Sequence, residues 1–402
     1  MINILATGIM AENNFGSPSI MHGLENLLDI LYGDNYRLIL IQPTKVNALA
    51  VSDLKMDVRY YKYNPRKFLL YTWLYRVTHY LPKGVEGQIL KLISKSDIVV
   101  DLYGIRFCDN FNKDNKESKR RSALNAIGKF PFEYAGYLMG KRTVKNTASF
   151  GPMKCKGNQQ SAKFASEHIF SIMSAREKMS YNALRNDAHV TSKVLISPDI
   201  ANLFKLDNDV EKKDGVGISV SHQIIRQWSS SQGYMDCMVS LCKHITQKYK
   251  KEIILIPNEF VPGKDKNDID VANDIQAALQ KDCNINVEVA DVRNMTSTQL
   301  KLIIASCDVM VASRYHACVA SYSSGVPLLI LGWHYKYQEL SELYGQEKWI
   351  LSSENCTSDV FVKTFDKFYE EKEIIREELK LKYKSVETKV VEVGKELFSL
   401  SI

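Results

Sequence analysis

The sequence predicts an α/β protein of two Rossmann-like units whose parallel sheets face a common cleft. Three observations predict it. Short apolar runs alternate with stretches of helical spacing, the pattern of strands joined by covering helices. That alternation occurs twice, on either side of a charged, non-periodic stretch at 205–214. The 402 residues suit two or three domains at about 150 residues each. We therefore expect an N-terminal unit over 1–205 and a C-terminal unit over 206–402, the latter ending in a helical tail.

Residues 2–7 form an apolar run followed by a loop carrying Asn and Gly. Ser17-Pro18 reads as an N-cap and first helical residue, and Ile20, Leu24, Leu27, Leu28 and Leu31 share one helical face. Residues 38–41 give the next strand. Residues 96–104 read as a buried strand ending in a glycine turn, and 109–122 as a charged, mobile loop leading into a helix. A strand and a short helix follow within 170–185. In the second unit 216–220, 253–256, 285–289, 309–312 and 327–331 read as strands, with helices at 269–279 and 298–305. The tail, 359–397, is rich in Lys and Glu and puts Phe361, Phe365, Phe368 and Ile375 on one helical side. Two such units in series leave a cleft between the carboxyl ends of their strands, where ligands bind in this class.

Composition excludes several classes. The surplus of seven positive charges (53 basic, 46 acidic) is mild and spread along the chain, so it reads as a solvated surface and no nucleic-acid partner is expected. One stretch, 60–81, interleaves eight aromatic residues with Lys62, Arg66, Lys67 and Arg76. Such interleaving suits nucleic acid, but core packing with a polar rim is the commoner use. An acceptor patch or a peripheral membrane contact is the other. The eight cysteines form no CxxC pair and no zinc spacing, so reduced thiols and no metal are expected. The N-terminus shows no basic segment or small-residue cleavage site, which favours a cytoplasmic enzyme, including one at the inner face of the membrane. Residues 315–335 lack charged side chains but contain Ser, Gly, Pro and His, and read as helix, turn and buried strand rather than a membrane span. The P-loop, GxGxxG, GxSxG and HExxH motifs are missing, so ATP chemistry of the P-loop type, dinucleotide chemistry and zinc hydrolysis have no support, and no cofactor is expected.

The densest chemistry lies at Ser313-Arg314-Tyr315-His316-Ala317, directly after the apolar run 309–312. A helix starting there aims backbone N–H groups at an anion. Arg314 adds a bidentate fork and His316 a proton carrier near neutral pH. The next strand ends at Gly332-Trp333-His334-Tyr335-Lys336, which adjacent parallel pairing places beside Arg314. Two cations, a histidine and a helix N-terminus at one sheet end call for a small, multiply charged anion. Ser221 and His222, at the end of 216–220, and Asn258, after 253–256, are further candidates to line the cleft. Arg176 reads as a structural partner of a carboxylate and Arg106 as a surface residue.

The stretch 308–345, with SRYHA, SGVPLLILGWHYKYQEL and SELYG, resembles the C-terminal signature of the polysaccharide pyruvyl transferase family. Weaker matches follow in the family's order: Asn14-Phe15-Gly16 before a helix, Val100-Asp101-Leu102-Tyr103-Gly104, Phe150-Gly151-Pro152, Ala175-Arg176-Glu177 with Ser180, and Asp199-Ile200-Ala201. The resemblance implies the two-domain glycosyltransferase-B architecture and transfer of pyruvate from phosphoenolpyruvate onto a sugar or glycan, which can be lipid-linked, as a ketal. It makes His316 the general acid, and Arg314 and Lys336, with Ser313, the holders of the donor. The N-terminal half, with Asn14, Gly16 and Ser17, becomes the acceptor side. Two departures stand in that half: Ser17 follows the loop glycine where the family often has Asp, and 101–104 replaces a run of glycines. A glycosyltransferase of the same architecture using a nucleotide sugar, with Glu339 or Glu342 holding the ribose, stays open, as does a non-catalytic relative.

Overall fold

The computed structural model describes residues 1–109, 118–206, 210–230, 232–261, 263, 267–332, 334–354 and 356–400. Residues 110–117 of the expected loop over 109–122, and Trp333, lie outside the described residues, as does part of the 205–214 stretch; a helix begins at Lys119.

Two parallel sheets carry the fold. The first contains β1 (Ile2–Thr7), β2 (Tyr36–Gln42), β3 (Asp57–Tyr60), β4 (Ile98–Asp101), β5 (Ile105–Arg106), β6 (Arg142–Phe150), β7 (Ile172–Ala175) and β8 (Lys193–Ile196). Their order is β3-β2-β1-β4-β6-β7-β8, with β5 paired to β6. The second contains β9 (Gly215–Ser219), β10 (Glu252–Leu255), β11 (Glu288–Val289), β12 (Val309–Ala312), β13 (Leu328–Gly332) and β14 (Ile350–Ser352), in the order β11-β10-β9-β12-β13-β14. In both, the chain runs outward from the first strand to one edge, then returns to the other side. The strand order therefore reverses beside β1 and beside β9, which opens a crevice at the carboxyl ends.

Several expectations needed adjustment. The first helix is Gly16–Tyr32, and its opening is capped by the Asn14 side chain, whose Oδ1 accepts from the Ser17 N–H at 2.8 Å. Ser17 thus sits inside the first turn rather than capping it. Only Glu288 and Val289 of the 285–289 run pair as strand. The tail is two helices, Ser358–Glu370 and Lys372–Phe398. The largest omission is β6, a central strand that carries Lys145, Asn146, Thr147 and Ser149 fully inside the protein. Hydrophobic patterning passes over such a strand because its buried faces are polar.

The last helix crosses back to the first sheet. Arg142 at the start of β6 donates to the carbonyls of Glu396 and Leu397, and the Tyr32 hydroxyl donates to the Phe398 carbonyl. Its Gly394 packs on Leu27, so closely that a Cβ there would lie 2.5 Å from a Leu27 methyl. The eight cysteines are free thiols and six of them are buried. Among the described residues no helix is long and apolar enough to cross a membrane.

Candidate active site

A cleft of about 470 Å³ opens where the carboxyl ends of the two sheets meet. Ile9 reaches it from the end of β1, Tyr103 and Gly104 from β4, and Arg176 from β7. From the second sheet come Asn258 and Glu259 after β10, Arg314 to His316 after β12, and Lys336 and Tyr337 after β13. The Asn14–Ser17 segment closes one side. The Phe15 N–H donates to the Asn258 carbonyl and the Phe260 N–H to the Asn13 carbonyl, so this loop is clipped to the second sheet as a short antiparallel bridge.

Of the residues singled out from sequence, Asn14, Gly16, Ser17, Asn258, Arg314, His316 and Lys336 line the cleft. Ser313, Ser221 and His222 stand behind its wall and are buried. Ser313 donates its N–H to Ser219 and its carbonyl accepts from Tyr337. Ser221 caps the helix His222–Gln227. The His222 Nδ1 lies 3.1 Å from both Asp268 and Arg314. A residue directly after a strand can turn either toward the cleft or back into the domain, and strand position alone does not say which.

The arginines are not bare cations. Arg314 donates from Nε to Asp268 at 2.8 Å and from Nη2 to Glu259 at 2.8 Å. Although burial alone would push the Asp268 carboxyl up, the Arg314 charge and the His222 contacts hold it below the usual carboxylate range. Arg176 donates from Nε to Glu177 at 2.8 Å and from Nη1 to Asp199 at 2.6 Å, and its guanidinium lies 4.1 Å over the Tyr315 ring. Each guanidinium therefore has two carboxylates beside it. A desolvated cation is costly without such compensation. Of the two expected cations, Arg314 and Lys336, Arg314 therefore presents a hydrogen-bonding edge in a neutralised cluster, while Arg176 is paired with carboxylates as its sequence reading expected. Asp199, Asp268 and Tyr315 were not picked out as site residues. Asp268 did carry a local signal, an acidic residue in the first turn of a helix, which named its place and not its partner.

Lys336 lines the same cleft. Burial lowers its ammonium to about 7, the neighbouring Arg176 adds repulsion, and Glu177 opposes both. Its Nζ lies 5.5 Å from the Tyr315 ring centre and 5.4 Å from that of Tyr337. His316 stands between the two sheets. Its Nε2 is 3.6 Å from Asp199 and makes no hydrogen bond among the described residues. Its Nδ1 is so near Gly16 that a Cβ there would come within 2.4 Å. Gly16 is thus the residue that lets the imidazole sit in the cleft. Burial holds His316 below its ordinary value, with Asp199 pulling the other way.

Glu339, considered above for a ribose, accepts from the N–H groups of Lys178 and Met179 at 2.6 and 3.1 Å. Both of its oxygens are engaged in capping a helix of the first unit, which ties the two units together. Glu342 accepts from Gln338.

The fold has solved counterparts. A UDP-GlcNAc 2-epimerase from Neisseria meningitidis, solved with UDP-GlcNAc, superimposes with a TM-score of 0.56 at 11% identity, covering 99% of both chains. The UDP-GlcNAc 2-epimerase of Methanocaldococcus jannaschii gives 0.55 at 12% identity, over 91% of this chain and 92% of that one. A spinosyn rhamnosyltransferase gives 0.52 at 9%, over 99% and 100%. These likenesses establish the glycosyltransferase-B fold. A search of the curated proteins finds no match. The model of the family described as polysaccharide pyruvyl transferase matches residues 14–335, from the Asn14 loop through the Arg314–His316 turn to the start of the Lys336 helix, and the chain therefore belongs to that family of transferases.

Proposed function

We propose that the enzyme moves the pyruvyl group of phosphoenolpyruvate onto a sugar of a cell-surface polysaccharide or of its lipid-linked precursor, as a ketal. The observation that carries this reading is the meeting of His316, Lys336, Arg314 and Arg176 in one cleft between the sheets. Lys336 is the group best suited to the donor's phosphate. Its proton affinity is depressed by burial, and an anion would restore it. Arg314 contributes directed N–H groups rather than net charge, since Asp268 and Glu259 neutralise it.

His316 is the general acid in this reading. Held below its ordinary value by burial, it gains a proton when the anionic donor binds, and gives it to the enol methylene. That makes the adjacent carbon electrophilic. One sugar hydroxyl adds to it and loses its proton, the C–O bond to phosphate breaks, and a second hydroxyl adds and loses its proton to close the ketal. The products are the ketal and inorganic phosphate. Of the two hydroxyl protons, one replaces the proton His316 donated and one leaves with phosphate. The donor is a metabolite of the cell interior, which supports a cytoplasmic reaction at the inner face of the membrane.

The test is incubation of purified enzyme with phosphoenolpyruvate and a panel of glycan acceptors. Phosphate release together with a pyruvylidene mass on the acceptor is expected, and both vanish in His316→Ala. Transfer from a nucleotide sugar with no phosphate release from phosphoenolpyruvate would overturn the reading in favour of a glycosyltransferase. A folded protein inert toward every donor would favour a non-catalytic relative.

A further inference from the structure

The helix Pro65–Thr78 buries only Phe68 and Thr72. On the side away from Phe68 it presents Leu70, Trp73, Leu74 and Val77, exposed by 64, 50, 39 and 78%. Their spacing of i, i+3, i+4 and i+7 makes one continuous apolar stripe along the helix. Tyr80, just beyond its end, is exposed as well. A protein does not keep such a stripe in water without a use for it.

The charges around the stripe say what covers it. From residue 58 to 85 the chain contains no Asp or Glu and six cations, Arg59, Lys62, Arg66, Lys67, Arg76 and Lys83. Arg59 is engaged by Asp57 and Lys67 by Glu86. Lys62, Arg66, Arg76 and Lys83 are exposed. An aliphatic and indole stripe with a basic surround is the surface that settles into an anionic bilayer, with Trp73 at headgroup depth and the cations at the phosphates. Leu70, Leu74 and Val77 offer no planes for stacked bases, which argues against nucleic acid.

We propose that this helix is a peripheral docking surface for an anionic phospholipid membrane. It rests on the surface alone and holds whichever donor the cleft takes. One helix of this size binds reversibly, so the enzyme would exchange between membrane and solution.

The test is co-sedimentation of the full-length protein with phosphatidylcholine vesicles with and without phosphatidylglycerol. Wild type is expected to sediment only with the anionic vesicles, and less so at high salt. Arg66→Gln with Lys83→Gln should lower the partition coefficient about 25-fold, at about fivefold per cation. The triple variant Leu70→Ser, Trp73→Ser, Val77→Ser should lose binding with unchanged circular dichroism and a melting temperature within a few degrees of wild type, because Leu70 and Val77 lie largely in water and Trp73, half exposed, gives up only its edge contact with Tyr134. Tryptophan emission should shift to the blue on vesicle addition, and Trp73→Phe should abolish that shift while retaining binding. Equal sedimentation of wild type and triple variant overturns the proposal. So does absence of wild-type binding, including the case where the protein is a dimer that the triple variant dissociates, since the stripe would then be covered by a second copy.

Discussion

Donor binding should take up protons, and the amount follows from the cleft. Lys336 has an ammonium lowered to about 7 by burial and by Arg176. At pH 8 about nine tenths of it is therefore neutral. An anion within a few ångströms attracts the charged form by about 4 kcal/mol per unit charge in a partly screened site, or about three pKa units. That is enough to return Lys336 to an ordinary lysine value. Binding at pH 8 then takes up close to one proton at Lys336, and His316, also neutral there, takes up more. The sign is fixed: the bound state holds more protons, so affinity falls as pH rises above about 7, by about tenfold per unit for each proton taken up. Below that point Lys336 is charged in both states and contributes no slope. Calorimetric titration with phosphoenolpyruvate at pH 8, in two buffers of different ionisation enthalpy, counts the protons directly. Lys336→Met should reduce the count by nearly one and weaken binding. A wild-type count of zero, or an unchanged count in Lys336→Met, would refute the reasoning.

Other consequences can be checked independently. Gly16→Ala places a Cβ 2.4 Å from the His316 ring and should lower turnover on the order of a hundredfold with little change in donor affinity, read from kcat and KM. His316→Gln should lower kcat by about 10² to 10⁴ while leaving thermal stability near wild type. Arg176→Met strands Glu177 and Asp199 in the interior and should cost about 3–5 kcal/mol, seen as a lower denaturant midpoint. Gly23→Ala would drive a Cβ to 2.1 Å from the Ile200 carbonyl, whereas Gly394→Ala meets only the end of Leu27. The first should destabilise by about 1–3 kcal/mol and more than the second, because backbone cannot move aside as a side chain does.

The architecture was legible where one residue type repeats at one period. The runs at 2–7, 38–41 and 309–312 became β1, β2 and β12, and the stripe of Ile20, Leu24, Leu27 and Leu28 became the buried face of the first helix. The placing of Arg314-Tyr315-His316 directly after a buried strand was equally legible, because an apolar run followed by a helix start marks a strand end in the sequence. β6 was not: its Lys145, Asn146, Thr147 and Ser149 look like a loop until the fold buries them. Lys145 is kept inside by Asp101 at 2.9 Å, a partner 44 residues away.

The sequence by itself determined two parallel α/β units and the strand-end turn that carries His316, while the fold alone set Gly16 against that imidazole. Only the tertiary structure decided the charge of the site. Arg314 meets Asp268 46 residues away and Glu259 55 away, and Arg176 meets Asp199 at a separation of 23. The same folding put Ser221, Ser313 and His222 behind the wall and engaged Glu339 in a helix cap. The physical reason is the crossover connection. Neighbouring parallel strands join through a long crossover, usually a helix, so their carboxyl ends meet across long stretches of chain. Local pattern fixes which residue stands at a strand end, while its neighbour on the adjoining strand fixes whether its charge is spent or available.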